Sequence, residues 1–148
     1  MLYAAQGTQT AGSKTILTVI SSANARPRIV DYKLSNVGAI TVDSQFEVQL
    51  KRFTAAGTTT AVTPTSTDPS DPAASLFTAG SNATVEPTYT AGAVIDDVGI
   101  NPRGWFRWTA YDRASEIILP ATAANGVGFF LAVLGGAVSV IADAKIQQ

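Results

Sequence analysis

The chain of 148 residues contains no cysteine and no histidine. Without cysteine it has neither a disulfide framework nor a thiolate metal site. Without histidine it lacks the commonest general base and the commonest metal ligand, and a Ser-His-Asp triad cannot be assembled. The composition therefore argues against the common hydrolase and metalloenzyme classes, and we expect no enzymatic activity.

Charged residues are also scarce. They make up 14% of the chain, and the formal net charge is −1, whereas about a quarter of residues are charged in a typical soluble domain. A nearly neutral chain has no electrostatic attraction to nucleic acid or to an anionic membrane, so neither is expected as a partner. A weakly charged surface, together with apolar residues on both faces of the strands at 104–110 and 127–134, favours coverage by other subunits, and we therefore expect an oligomer.

Long hydrophobic runs are missing as well. The longest apolar stretch, residues 127–142, is interrupted by three glycines and a serine, which makes it too short and too strand-like for a membrane span. The N-terminal residues lack the basic and apolar regions of a signal peptide. We expect the protein to be made in the cytoplasm and to remain soluble or assemble there.

The dominant feature that is present is alternation of apolar and polar residues. It is clearest in residues 42–53, where Phe46, Val48 and Leu50 alternate with polar side chains. Eight or more short strands separated by turn signals predict an all-β fold. The pattern favours an antiparallel β-sandwich, jelly-roll-like, with long loops and at most one short helix, which would begin at Asp71 and Pro72.

The other strands are predicted from the same pattern at 14–20, 26–35, 83–89, 116–119, 127–134 and 138–146. Pro27 should mark the start of its strand, and Pro87 should place its strand at a sheet edge. The Gly135-Gly136 pair should reverse the chain before the last strand.

Two segments lack a pattern that would bury them. Residues 1–12 are small and polar and predict a flexible N-terminal arm, followed by a single β-sandwich domain over residues 13–148. Residues 55–72 predict a long loop that can carry one short strand at 60–62. Both segments are expected to be mobile in the free protein and to contact neighbouring proteins.

The segment from Gly104 to Pro120 contains both tryptophans. Alternation places Phe106 and Trp108 on one face and Trp105 and Arg107 on the other. Large groups on both faces predict a central strand covered on both sides. A polar turn at 112–115 and a short strand at 116–119 would complete the middle hairpin of the sandwich.

Four large side chains are predicted to be essential to the core: Phe46, Leu50, Trp108 and Phe129.

The acidic residues with a potential site role form three pairs: Asp68 with Asp71, Asp96 with Asp97, and Asp112 with Glu116. The first two pairs lack the spacing of a calcium loop, so solvated or capping roles are preferred. The third resembles the paired carboxylates of a glycosidase only in composition, because it lies in a turn. We therefore predict no catalytic, cofactor-binding or metal-ligating residue, and no cofactor.

Three arginines flank the tryptophans: Arg103, Arg107 and Arg113. They have the chemistry to stack on aromatic rings or to bind phosphate. We favour a simpler interpretation, in which they form salt bridges with Asp112, Glu116 or a neighbouring subunit.

Four segments together resemble the small β-structural proteins of tailed bacteriophages, in particular capsid decoration (cement) proteins with a jelly-roll fold. They are residues 4–13, TAVTPTSTDPSDPA at 60–73, GWFRWTA at 104–110 and EIILPATAANGVGFF at 116–130. The resemblance implies a trimer on the outside of a capsid, at threefold positions between subunits of the major capsid protein, without catalytic residues. A tail or baseplate component would share these features.

Two functional hypotheses follow. The first is a structural virion protein that bridges major capsid protein subunits and helps the capsid resist internal pressure. The second is a carbohydrate-binding or receptor-binding β-sandwich. Buried tryptophans would favour the first hypothesis, and a solvent-exposed Trp105 lining a groove would favour the second.

Overall fold

A computed structural model describes residues 1–40, 43–135 and 139–148. These residues form an antiparallel β-sandwich of two six-stranded sheets. The predicted fold class is therefore confirmed. Within the described ranges there is no helix, and none that could cross a membrane.

The described residues form twelve strands in chain order. They are β1 (Leu2–Gln9), β2 (Lys14–Ser21), β3 (Arg28–Val37), β4 (Phe46–Ala55), β5 (Thr58–Val62), β6 (Thr65–Ser66), β7 (Phe77–Val85), β8 (Thr88–Ile100), β9 (Phe106–Thr109), β10 (Ile117–Ile118), β11 (Gly126–Leu134) and β12 (Ser139–Gln147). Sheet A has the order β10-β3-β12-β1-β6, with β9 also paired to β3, and sheet B has the order β5-β7-β2-β11-β4-β8.

The core lies between the two sheets, where alternate side chains of each strand point inward. Phe46, Leu50 and Phe129 are buried there, as predicted. Trp108 packs against this core but is only partly buried, so its predicted burial is only partly realised. Its position at the open side of the sandwich, described below, explains the difference.

The N-terminal segment is the largest departure from expectation. β1 lies between β12 and β6, and its side chains Tyr3 and Ala5 are buried. The hydroxyl of Tyr3 donates to the Pro72 carbonyl at 2.9 Å and accepts from the Gln148 side-chain amide at 2.9 Å. The prediction of a flexible arm over residues 1–12 is therefore wrong for Leu2–Gln9.

The small residues that suggested flexibility have a packing role in β1. A Cβ atom on Gly7 would lie 2.3 Å from the backbone oxygen of Ile16, so β1 approaches β2 more closely than a side chain permits. A glycine inside a strand commonly marks such a close approach. Composition alone does not distinguish a closely packed strand of small residues from a flexible segment.

The strands predicted at 14–20, 26–35 and 127–134 correspond to β2, β3 and β11. β11 lies between β2 and β4, which confirms the central position predicted from its two apolar faces. β4 begins at Phe46 rather than at residue 42. Val42, Gly136 and Val138, which also entered the strand and turn predictions, lie outside the described residues.

The segment 55–72 is not a single loop. The short strand predicted at 60–62 is present within β5, which pairs with β7. β6 pairs with β1 through Tyr3 and Ala4. The segment is thus joined by strand pairing to both sheets.

The helical turn predicted after Asp71 is wrong. Residues 72–75 are irregular, and β7 begins at Phe77. Their backbone groups have tertiary partners instead: the Pro72 carbonyl accepts from Tyr3, and the backbone amides of Ser75 and Leu76 donate to the side chain of Gln148. These partners lie near the two ends of the chain, so the contacts cannot be predicted from local helix signals.

The strand predicted at 83–89 is divided at Glu86 and Pro87, between β7 and β8. The edge position predicted for this strand holds only for its last residues, because β8 pairs with β4 alone, whereas residues 83–85 belong to β7, which lies between β5 and β2. The residues around Pro87 cover part of the outer face of sheet B. Glu86 accepts hydrogen bonds from the backbone amide and the hydroxyl of Thr15 in β2, at 3.1 and 2.5 Å.

An aromatic cluster covers a further part of the outer face of sheet B. The ring of Tyr89 makes edge contacts with Phe53 and Phe130, with centroids 6.2 and 5.5 Å apart. Phe53 pairs with Gly126 on the side of the sheet away from the core, yet it is only 2% exposed. A Cβ atom on Gly128 would lie 2.3 Å from the Tyr89 hydroxyl, so this glycine leaves room for the covering ring.

Candidate functional site

The tryptophan strand β9 lies at the edge of sheet A and pairs with β3 alone. Its alternation is as predicted. Phe106 and Trp108 turn inward onto Tyr32, with ring centroids 5.9 and 5.4 Å from that ring. Trp105 lies on the other side and is 66% exposed. The prediction of a central strand covered on both faces is therefore wrong.

The predicted hairpin is also wrong. β10 pairs with Ile29 and Arg28 of β3, and β9 pairs with residues 31–34 of the same strand. Both short strands thus share one side of β3, which is long enough to accommodate them in succession. The outward face of β9 remains uncovered by the described residues.

Strand register brings charged side chains beside this uncovered face. Asp31 lies opposite Thr109 on one side and Lys145 on the other. In the next row, Lys33 lies opposite both Arg107 and Asp143. These charged residues and Trp105 line a groove of about 340 Å³ on the outer face of sheet A: Asp31, Lys33, Arg107, Asp143 and Lys145. We call it the Trp105 groove.

Arg107 is held firmly within this groove. Its Nη2 and Nε atoms lie 2.5 and 2.9 Å from Oδ2 of Asp31, and the Thr109 hydroxyl donates to the same oxygen at 3.1 Å. The hydrogen bonds with Asp31 and its negative charge raise the pKa of Arg107, so the guanidinium stays protonated. The guanidinium is oriented in advance while more than half of the side chain stays exposed to a partner, at 57%.

The second ion pair in the groove is looser. Lys145 Nζ lies 3.8 Å from Oδ1 of Asp143, which is within ion-pair range but too long for a hydrogen bond. That oxygen has no hydrogen-bond partner within the described parts of the chain. Because that oxygen is buried, Lys145, whose side chain is 35% exposed, is the member of this pair that offers accessible hydrogen-bonding capacity to a ligand or partner.

A second groove of about 540 Å³ adjoins the first and also includes Trp105. It extends along residues 35–38 and 102–104. Near its rim, Arg103 Nε donates to Asp43 at 3.0 Å. The Trp105 indole therefore projects between two depressions, in the position of an aromatic platform for a bound group.

The acidic pairs do not form the sites that composition left open. Asp96 and Asp97 lie on opposite sides of sheet B: Asp96 accepts a hydrogen bond from the inward-facing Tyr32, and Asp97 accepts from Gln49 at 3.0 Å. Burial, together with the hydrogen bond and charge of Asp96, raises the pKa of Tyr32, so this phenol keeps its proton and serves as the donor.

The other two pairs have turn and ion-pair roles. Asp68 accepts from the backbone amide of Ser70, and Asp112 accepts from that of Ser115. Glu116 forms an ion pair with Arg28 at 3.3 Å rather than approaching Asp112. The described residues contain no group of three or more potential metal ligands.

Two of the three arginines form salt bridges, as favoured from the sequence, but with other partners. Arg107 pairs with Asp31 and Arg103 with Asp43, and neither pairs with Asp112 or Glu116. Arg113 is exposed in the turn after β9.

Four groove residues were not identified from the sequence: Asp31, Lys33, Asp143 and Lys145. Alternation in β3 and β12 does indicate that they face outward. Their convergence depends on the pairing register of β3 with β12 and β9, which alternation in a single strand does not contain.

Comparison with known protein families, with curated proteins and with solved structures gave no match. A functional assignment therefore rests on the geometry of this face.

Proposed function

We propose that the chain is a structural virion protein of a tailed bacteriophage, which decorates the capsid exterior and stabilises it by bridging subunits of the major capsid protein. The observation that supports a docking role is an uncovered ridge along residues 103–113. It presents Trp105, Tyr111 and three arginines, and Tyr111 is 90% exposed. Trp, Tyr and Arg are the residue types most enriched in the energetic centres of protein interfaces.

The Trp105 groove holds two side chains of this ridge, Arg107 and Trp105, in a defined arrangement. Arg107 is already held by Asp31, so less conformational entropy is lost when it meets a partner. Trp105 supplies a large rigid apolar surface beside it. Mixed charges around an aromatic anchor suit a specific contact with a protein surface, because they select partners of complementary charge.

In this proposal the ridge along residues 103–113 takes the contact role that was expected for residues 1–12, since Leu2–Gln9 is an interior strand of sheet A. A homotrimer remains part of the proposal. Exposed large apolar residues remain on both sheets, among them Val37 on β3 and Val85 on β7, and subunit contacts would cover some of them. Light scattering of the purified protein tests this, and a monomer mass at micromolar concentration would contradict it.

The capsid role is tested by binding to undecorated particles assembled from the major capsid protein encoded with this chain. We expect the double variant Trp105→Ala/Arg107→Ala to bind much more weakly while still unfolding cooperatively, with a melting temperature lowered only by the loss of the Arg107–Asp31 ion pair. Val94→Ala, which removes an exposed side chain from β8, serves as the matched control and should bind as wild type. Failure of the intact protein to bind these particles would overturn the proposal.

Mass spectrometry of whole virions provides an independent test. A capsid decoration protein should be present in hundreds of copies per particle, and a dozen or fewer would place it in the tail instead.

A carbohydrate-binding role is the second candidate, favoured by one specific observation. Trp105 is exposed and lines a groove beside carboxylate and ammonium groups, which is the arrangement expected from the sequence to favour carbohydrate binding over a structural role. An aromatic platform flanked by hydrogen-bonding groups can bind a sugar ring. Glycan-array binding that is lost in Trp105→Ala, together with an absence of capsid binding, would favour this function over capsid decoration.

A further inference from the structure

A separate cleft lies at the open side of the sandwich, where β8 of sheet B faces β9 and the chain leading into β10 of sheet A. Its lining residues are Ile95, Asp96, Trp108, Ser115 and Ile117, and its volume is about 360 Å³. None of them lines the Trp105 groove. We call it the Asp96 cleft.

The Asp96 carboxylate gives the cleft its charge. The hydroxyl of Tyr32 donates a hydrogen bond to Oδ2 of Asp96, and the backbone amide of Asp97 donates one to Oδ1 at 2.9 Å. A carboxylate accepts about four hydrogen bonds, so acceptor capacity remains on both oxygens. Among the described residues, Asp96 has no cationic partner within ion-pair distance.

Trp108 forms an aromatic wall of the same cleft. Tyr32 stacks against the indole at 5.4 Å with an interplanar angle of 24°, which fixes the orientation of the ring. The indole is only partly buried, and it lines the cleft together with Asp96. Tyr32 therefore holds both groups, the indole by stacking and the carboxylate by its hydrogen bond.

Ser115 contributes a further polar atom. Its hydroxyl donates to the Asp112 carbonyl at 2.8 Å and accepts from the Asp112 amide at 3.2 Å. One lone pair of the hydroxyl oxygen is left for another donor. Ile95 and Ile117 complete the lining with apolar surface, where an aliphatic stem can pack.

We propose that the Asp96 cleft binds a guanidinium group, carried by an arginine side chain of a partner protein. A guanidinium is planar, stacks on an indole and donates two parallel hydrogen bonds to a carboxylate. A compact ammonium has no flat surface to match the indole. The aliphatic stem of arginine fits the two isoleucines, and charge complementarity with the unpaired Asp96 favours this occupant. The site is independent of the capsid proposal.

The test measures binding of N-acetylarginine methylamide to the Trp105→Phe variant, in which Trp108 is the only remaining tryptophan and reports by fluorescence. The neutral isostere N-acetylcitrulline methylamide is the matched ligand control. We expect a saturable change with the arginine derivative and binding at least about tenfold weaker with the citrulline derivative, since an interaction of about 1.4 kcal/mol corresponds to a tenfold change.

Two side-chain variants localise the effect. Asp96→Asn keeps an oxygen that can accept from Tyr32 but removes the charge, and we expect it to weaken arginine binding at least about tenfold. Asp97→Asn removes the same charge from the opposite side of β8 and should leave binding unchanged. Equal weakening by both variants would indicate a general charge effect and would overturn the proposal.

The ligand comparison needs no substitution at Asp96, so the test remains decisive if Asp96→Asn does not fold. Equal binding of the arginine and citrulline derivatives, or no saturable change with either, would also overturn the proposal. Free arginine distinguishes the source of the group. Binding no tighter than that of the blocked derivative supports a side chain of a partner protein. Markedly tighter binding overturns that assignment in favour of a small-molecule ligand.

Discussion

The outer faces of the two sheets differ in how their aromatic residues are covered. On sheet B, Phe53 and Phe130 point away from the core but are packed beneath Tyr89, and Phe53 is almost completely buried. On sheet A, Trp105 also points away from the core and remains 66% exposed. An outward aromatic side chain is therefore not evidence of a binding surface until its cover is known.

The cause of the difference lies in the connections. The connection from β7 and the start of β8 cross near β2 and β11, where Glu86 and Tyr89 form hydrogen bonds with Thr15. The described connections provide no equivalent cover over the Trp105 groove. Its charged residues form ion pairs with one another on the surface of the sheet. The covered face contributes to the stability of the fold, and the open face leaves Trp105 in contact with solvent.

The largest expected effect comes from removing residues 1–9. β1 separates β12 from β6, and its loss would leave a core-facing gap in sheet A where Tyr3 and Ala5 are buried. We expect no cooperative thermal unfolding of the truncated chain by circular dichroism. A melting temperature close to that of the full chain would show that the segment is a dispensable arm after all.

On the covered face, Gly126→Ala should reduce the free energy of unfolding by about 3 kcal/mol or more. Its Cβ would lie 2.1 Å from the backbone oxygen of Val19 and 2.7 Å from the Phe53 ring, so strands have to move. Gly99→Ala is the matched control, because the nearest atom to its Cβ is 4.0 Å away, and the change should be within about 1 kcal/mol. Chemical denaturation measures both, and equal effects would contradict the proposed packing.

Tyr89→Ala removes the cover itself and should cost about 3 kcal/mol, because two aromatic rings lose their packing partner. Tyr89→Phe keeps the ring but loses the 2.7 Å contact with the Thr15 hydroxyl, and should cost only about 1 kcal/mol. Urea denaturation of the pair separates packing from hydrogen bonding. Similar losses in both variants would mean that the ring does not act as the cover.

Trp108→Ala should cost about 2 kcal/mol, below the range for a fully buried aromatic residue, because Trp108 lies at the open side of the sandwich. Thermal and urea unfolding give this value directly. A loss of about 4 kcal/mol would indicate that Trp108 is more deeply covered than its position implies.

The smallest stability effect is expected on the open face. Trp105→Ala should change the free energy of unfolding by less than about 0.5 kcal/mol, because the indole is mostly in contact with solvent. Its effect should appear in partner binding instead. A substantial loss of stability would show that the two faces are not as different as their exposure suggests.

Much of the fold was accessible from local pattern. Alternation identified β2, β3 and β11 and the inward positions of Phe46 and Leu50, because the side-chain period of a strand is written in the sequence. Small residues were less informative, because they are compatible both with a flexible segment and with a closely packed strand. Gly7 and its small neighbours predicted flexibility, but they mark the close approach of β1 to β2.

Only part of each candidate site could be predicted from the sequence. The two faces of β9 followed from its alternation, which indicated that Trp105 and Arg107 share a side. The salt-bridge partners were not predictable, because Asp31 is far from Arg107 along the chain and reaches it only through the pairing of β3 with β9. Likewise, Asp96 meets Tyr32 and Trp108 only when the two sheets pack.

The sequence by itself determined that this chain is an all-β protein with little charge, without cysteine or histidine, and with its strands at largely recognisable positions. Only the tertiary structure decided which aromatic residues are covered. Coverage depends on strand order, register and the path of connections, which bring together residues that are distant in the chain. For that reason Phe53 is buried and Trp105 is exposed, although both side chains point away from the core.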